Sequence, residues 1–126
     1  MKKAYIVSLA IVMSLMGIVF LAAPTTYLGT LGVQIGDPSA LNMIRSFGGF
    51  YLGFAAALAF LARREHGIDL AVIAAVFAMA GFLAGRAVSL LADGIPDRSL
   101  FVSAAIEILF GIWGIVILRR SIPWRA

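Results

Sequence analysis

The chain has 126 residues, enough for one compact domain, and 63% of them are hydrophobic against 13% charged. Soluble domains carry about 45–50% apolar and about 25% charged residues, so lipid rather than water must be the main solvent. The absence of cysteine excludes disulfides, thiolate metal sites and thiol chemistry, and the net charge of +4 sits beside apolar runs rather than along one face, which argues against a nucleic-acid partner.

Four apolar runs follow one another, at about residues 4–23, 41–62, 68–92 and 99–118. Each is close to the ~20 residues an α-helix needs to cross ~30 Å of hydrocarbon. No alternating pattern suggests a β-barrel, and backbone groups inside a bilayer must be paired within each segment. The reading is therefore all-α: an integral membrane four-helix transmembrane bundle, with residues 1–126 as a single domain.

The first run follows Lys2 and Lys3 and ends at Leu21-Ala22-Ala23, in the manner of a signal peptide. It exceeds the usual apolar core of about 7–15 residues, and Pro24 directly after the candidate cleavage site hinders processing. We read it as a retained helix. Pro24 ends it, and the long connection Pro24–Asp37, with Thr-Thr-Tyr and several glycines, suits a segment folded over at the interface. Asp37 is placed to cap the second helix, with Pro38 at its first position, where a missing N–H costs nothing. Gly67 is expected to close that helix and Asp69 to open the third. Asp93-Gly94-Ile95-Pro96 breaks the chain before Asp97 or Ser99 caps the fourth.

Lys2, Lys3, Arg63, Arg64, Arg119, Arg120 and Arg125 flank the N-terminus, the second connection and the C-terminus, whereas the other two connections carry only Arg98 among basic residues. Basic flanks stay cytoplasmic, so both termini are expected inside (N-in/C-in), with Tyr5 and Trp124 at the inner interface.

Three ionisable residues fall within apolar runs: Arg45, Arg86 and Glu107. Each costs about 2.5–3.5 kcal/mol at a helix centre. At about 1.5 Å per residue they lie about 6, 9 and 12 Å from the outer helix ends, depths at which they can meet. Helical phase puts Arg86, Ser89 and Asp93 on one face of the third helix. It puts Asn42, Arg45, Gly49 and Gly53 on one of the second, and Glu107, Gly111 and Gly114 on one of the fourth. Membrane helices pack through small-xxx-small faces, and Gly49/Gly53 and Gly81/Gly85 are two such pairs. The expected result is a polar layer of Asn42, Arg45, Arg86, Ser89, Asp93 and Glu107 near the outer mouth, with Tyr51 close enough to hydrogen-bond Glu107 or simply to pack. Two guanidiniums against one carboxylate leave a positive charge suited to an anion, a lipid headgroup or a partner's carboxylate. The same residues also suffice to lock three helices in register. His66 is the only histidine and sits in the charged turn, so no metal site, cofactor or catalytic residue is expected. The phenylalanines and methionines read as filling, and Trp113 as core or lipid-facing.

The pattern Asn42-x-x-Arg45-x-x-x-Gly49-x-Tyr51, then Gly85-Arg86-x-x-Ser89-x-x-x-Asp93-Gly94, then Glu107, resembles a bacterial family of small four-helix membrane proteins catalogued as a domain of unknown function. Its general look is similar to DoxX-like proteins. The resemblance covers nearly the whole chain and implies a multi-pass protein of the bacterial inner (plasma) membrane, but no activity. DoxX-like relatives are linked to thiol or quinol redox systems, and the absence of cysteine here departs from a direct thiol role.

Three functions remain open from the residues. The first is a non-enzymatic oligomer or accessory subunit packed against a larger membrane complex. The second is a binding protein for a lipid or small anion, and the third a DoxX-like redox component. Membrane lipids and a protein partner or second copy are the expected partners. Reporter fusions after Ser121 and at Arg64 should read cytoplasmic, and fusions at Gly32 and Gly94 external. A periplasmic signal at residue 121 would overturn the orientation.

Overall fold

The computed structural model describes residues 1–64, 66–92, 95 and 98–121; the surroundings of Ser39, Gly85, Ser89, Ala92, Ser99 and Ser121 also lie outside the description. Within it the chain forms α1 (Lys2–Ala22), α2 (Pro24–Thr30), α3 (Pro38–Leu61), α4 (Gly67–Ala92) and α5 (Ser99–Ser121), and no strand. Four of these, all but α2, are long and apolar enough to cross a membrane.

Local chemistry sets the helix ends. Ala23 leaves helical geometry at φ −139° and ψ 53°, and Pro24 takes the first position of α2, where its lacking N–H is no loss. The connection expected to fold over at the interface is thus partly helical. Its end is a Schellman closure: Val33 N–H donates to the Leu28 carbonyl and Gly32 N–H to that of Gly29. Gly32 sits at φ 74°, a left-handed geometry that glycine adopts without a Cβ penalty. Asp37 caps α3 by accepting from the Ala40 N–H at 3.0 Å, with Pro38 following.

Gly67 does not close α3. That helix ends at Leu61, and Gly67 is the first residue of α4. It is needed there for a different reason: a Cβ at Gly67 would run into the Leu61 carbonyl oxygen. Asp69 lies in the first turn of α4, and Lys2 Nζ reaches its Oδ1 at 2.6 Å, tying the start of α1 to the start of α4.

α1 packs against α3, α4 and α5, and most extensively against α3; α4 also packs on α3 and α5. Tyr5, Leu9, Met13 and Gly17, four residues apart on α1, form its buried stripe with Ile6. They meet Ala55 and Leu58 of α3, Ala71, Val72, Ala75 and Met79 of α4, and Phe110 and Ile117 of α5. Most of this core lies toward the helix ends that carry Lys2, Lys3, Arg63, Arg64, Arg119 and Arg120. Tyr5 is fully buried there, within the bundle. Its ring meets Trp113 edge-on at 5.3 Å, so Trp113 belongs to the core. Gly114 clears the space for this ring: a Cβ there would lie 2.6 Å from the Tyr5 hydroxyl. Trp124 lies outside the described residues.

The close helix contact differs from the expected one. Gly49, Gly53 and Gly81 have no atom within 4 Å of a Cβ position and face outward. The tight approach belongs to Gly17 of α1 and Gly48 of α3. A Cβ at Gly17 would lie 2.9 Å from the Gly48 carbonyl oxygen, and one at Gly48 would lie 3.0 Å from that of Gly17. Backbone atoms cannot yield as a side-chain tip can, so Gly48→Val should lower stability in detergent by about 1–3 kcal/mol. Gly49→Val, one residue away, should leave the melting curve nearly unchanged. Equal losses at the two positions would contradict this packing.

Candidate functional site

The end of the bundle opposite the basic flanks is less filled. Here Arg86 on α4 meets Glu107 on α5 through two parallel contacts, Nε to Oε2 at 2.6 Å and Nη2 to Oε1 at 2.7 Å. This is the fork-to-fork geometry that makes Arg–carboxylate pairs strong and directional. The side chains are 31% and 14% exposed. Each would be costly alone in lipid; together they form a neutral unit.

Arg45 does not join them. Its Nη1 donates to the carbonyl oxygen of Leu21 at the end of α1. The last carbonyls of a helix lack partners, and α1 has no basic residue of its own in its last turn. Arg45 supplies both a donor and a positive charge where the helix dipole favours one. Among the described residues, the layer of two arginines around one carboxylate is therefore replaced by a neutral pair and a separate helix-end contact. Asn42 is exposed, and its backbone carbonyl accepts from the Ser46 hydroxyl at 2.9 Å. Asp93 and the side chain of Ser89 lie outside the described residues.

Tyr51 makes no hydrogen bond to Glu107 among the described residues. It instead stacks on Phe82 of α4, with rings 5.8 Å apart and 4° from parallel. Phe20 of α1 stands edge-on to Tyr51 at 5.7 Å, and Tyr27 of α2 tilts against Phe20 at 5.6 Å. Four helices thus contribute one row of rings: Tyr27, Phe20, Tyr51, Phe82. Such offset and edge contacts are the favoured aromatic geometries.

This row walls a chamber of about 160 Å³, with Met13, Met16 and Phe110 among its other sides and Arg86, Glu107 and Ser103 as its polar groups. Several phenylalanines and methionines that read as filling therefore border empty space. The pattern Phe20/Tyr27 signals little in the sequence, because a proline break separates the two rings. On the outer side of the same ion pair, α4 and α5 leave a groove of about 610 Å³ lined by apolar side chains such as Leu83, Ala87, Phe101 and Ile108. Phe82, Arg86 and Leu100 border both spaces. Of the other glycines, a Cβ at Gly111 would lie 3.7 Å from Met79 Cβ, and Gly114 is pressed against Val76 and Tyr5.

The model of one family, described as domain of unknown function DUF4345, matches residues 1–118. The chain belongs to this family. No curated protein and no solved structure matches it. Family membership thus extends over all four long helices and assigns the chamber no role.

If the ion pair holds α4 to α5, Glu107→Gln should cost up to about 3 kcal/mol by leaving a part-buried guanidinium without its partner. Adding Arg86→Met should recover part of that loss. A detergent melting series on the two singles and the double measures the coupling, and strictly additive losses would mean the pair contributes nothing jointly.

Proposed function

We propose that this DUF4345 protein is a non-enzymatic membrane protein that binds a small amphiphile from within the bilayer. The head would occupy the aromatic chamber and the apolar tail the α4/α5 groove. The observation that supports it is the position of Arg86, which borders both spaces while paired to Glu107 in the chamber wall. A chamber of about 160 Å³ is close to cavities of ~150 Å³ that take up a benzene ring. The groove lies in the usual range for ligand sites of about 300–1,000 Å³.

The chemistry of the walls defines the head. Arg86 uses Nε and Nη2 on Glu107, so Nη1 is left to donate. Carboxylate oxygens have further lone pairs to accept. The Tyr27, Tyr51 and Ser103 hydroxyls border the chamber too. A neutral, ring-sized head with both donor and acceptor groups fits better than an anion, because the pair carries no net charge. The reading assigns the protein to a bacterial plasma membrane with its basic end cytoplasmic. Association with a second copy or a larger complex is a second reading, favoured by the open outward face at Gly49 and Gly53.

Ser103, half-buried on α5 one turn before Glu107, borders the chamber without any hydrogen bond among the described residues. Ser103→Phe should fill the space, removing the copurifying small molecule while melting stays the same or rises. Native mass spectrometry of wild type and variant makes the comparison, and the same spectra report the number of copies. No retained molecule in the wild type, or equal retention in the variant, would sink the binding reading.

A further inference from the structure

A second groove lies between α1 and α3 at the basic end, and nothing in the reading above uses it. Its space is about 490 Å³. One wall is the exposed stripe Val7, Ile11 and Leu15, four residues apart on α1. The other is α3 and its C-cap, where small side chains (Ala56 and Ala59, then Ala62) leave the floor low. Lys3 of α1 and Arg63 just beyond α3 close it at the same end.

The dimensions and the charge point the same way. From Lys3 to Leu15 the groove runs about 18 Å at 1.5 Å per residue, a little more than one leaflet of a ~30 Å core. Two cations at the interface end and an apolar trough beneath match a molecule with a negative head and a straight hydrocarbon chain. Lys2, the other nearby lysine, already reaches Asp69, and the Arg64 guanidinium lies over the Phe60 ring at 4.7 Å. Lys3 and Arg63 are the two that line the groove. An acyl chain here would gain dispersion contacts against small residues that a bulkier α3 would deny.

We propose that the α1/α3 groove is a binding site for one anionic phospholipid of the leaflet facing the basic end. Its phosphate lies between Lys3 and Arg63, and one acyl chain lies over Ala56 and Ala59. Basic pockets between membrane helices recognise such headgroups at energies near those of other surface Lys and Arg contacts. The site is separate from the chamber at the opposite end, so either can fail without the other.

The test titrates delipidated full-length protein in mild detergent with phosphatidylglycerol and with phosphatidylcholine of the same acyl chains, read by native mass spectrometry. One phosphatidylglycerol should bind with clear preference. Lys3→Gln with Arg63→Gln should weaken that binding about tenfold, whereas Arg119→Gln with Arg120→Gln, the same charge change, should weaken it by less than about twofold. Ala59→Leu keeps every charge and fills the trough at a lipid-exposed position, so it should weaken binding too while the protein stays folded. Equal binding of the two lipids, equal losses in the two charge variants, or unchanged binding in Ala59→Leu would each overturn the proposal.

Discussion

The contact of two backbones at Gly17 and Gly48 sets the rest of the bundle. Because neither residue carries a Cβ, α1 and α3 come within reach of one another's carbonyl oxygens. Arg45, three residues before Gly48, is thereby brought to the end of α1, where it meets the Leu21 carbonyl. Tyr51, three residues after Gly48, is brought against Phe20. In lipid there is no hydrophobic drive between helices, so close van der Waals contact of this kind carries much of the association. A single bulky residue at the crossing would displace the helix-end contact and the aromatic row together.

The two ends of the bundle are built on different terms. Toward the basic end, Tyr5, Ile6, Leu9, Leu58, Val72 and Ile117 fill the interior. Toward the other, α4 and α5 are joined among the described residues by one ion pair, whose Arg86 borders both the chamber and the groove. Directional polar contacts can hold helices at a fixed distance without filling the space between them, whereas dispersion requires contact. That difference is why the hollow lies where the charges are.

Most of the fold was legible because the bilayer imposes length and polarity on each segment. Apolar runs of about 20 residues leave few alternatives to spanning helices. The helical phase that lets Arg86 and Glu107 meet was legible for the same reason. The direction of Arg45 was not, because phase within one helix does not fix its rotation against another, and the demand of the α1 carbonyls appears only once α2 is seen to restart at Pro24. The glycines show the same limit. Gly49 and Gly53 match a packing spacing, yet Gly48, one residue away and so about 100° around the helix, is the one that meets α1. A small-residue spacing names a face that can pack; it does not say that a neighbour is there.

The ion pair has a further consequence for biogenesis. Arg86 precedes Glu107 by 21 residues, so α4 leaves the ribosome with its guanidinium ahead of the carboxylate that pairs with it. The guanidinium opposes insertion by about 2.5–3.5 kcal/mol at worst, while each Leu, Ile, Phe or Val contributes about −0.3 to −0.6. The apolar body of α4, from Ile68 to Leu91, is long enough to outweigh it. The helix can therefore partition on its own composition, but only α5 brings the carboxylate that lets its guanidinium stay inside the bundle.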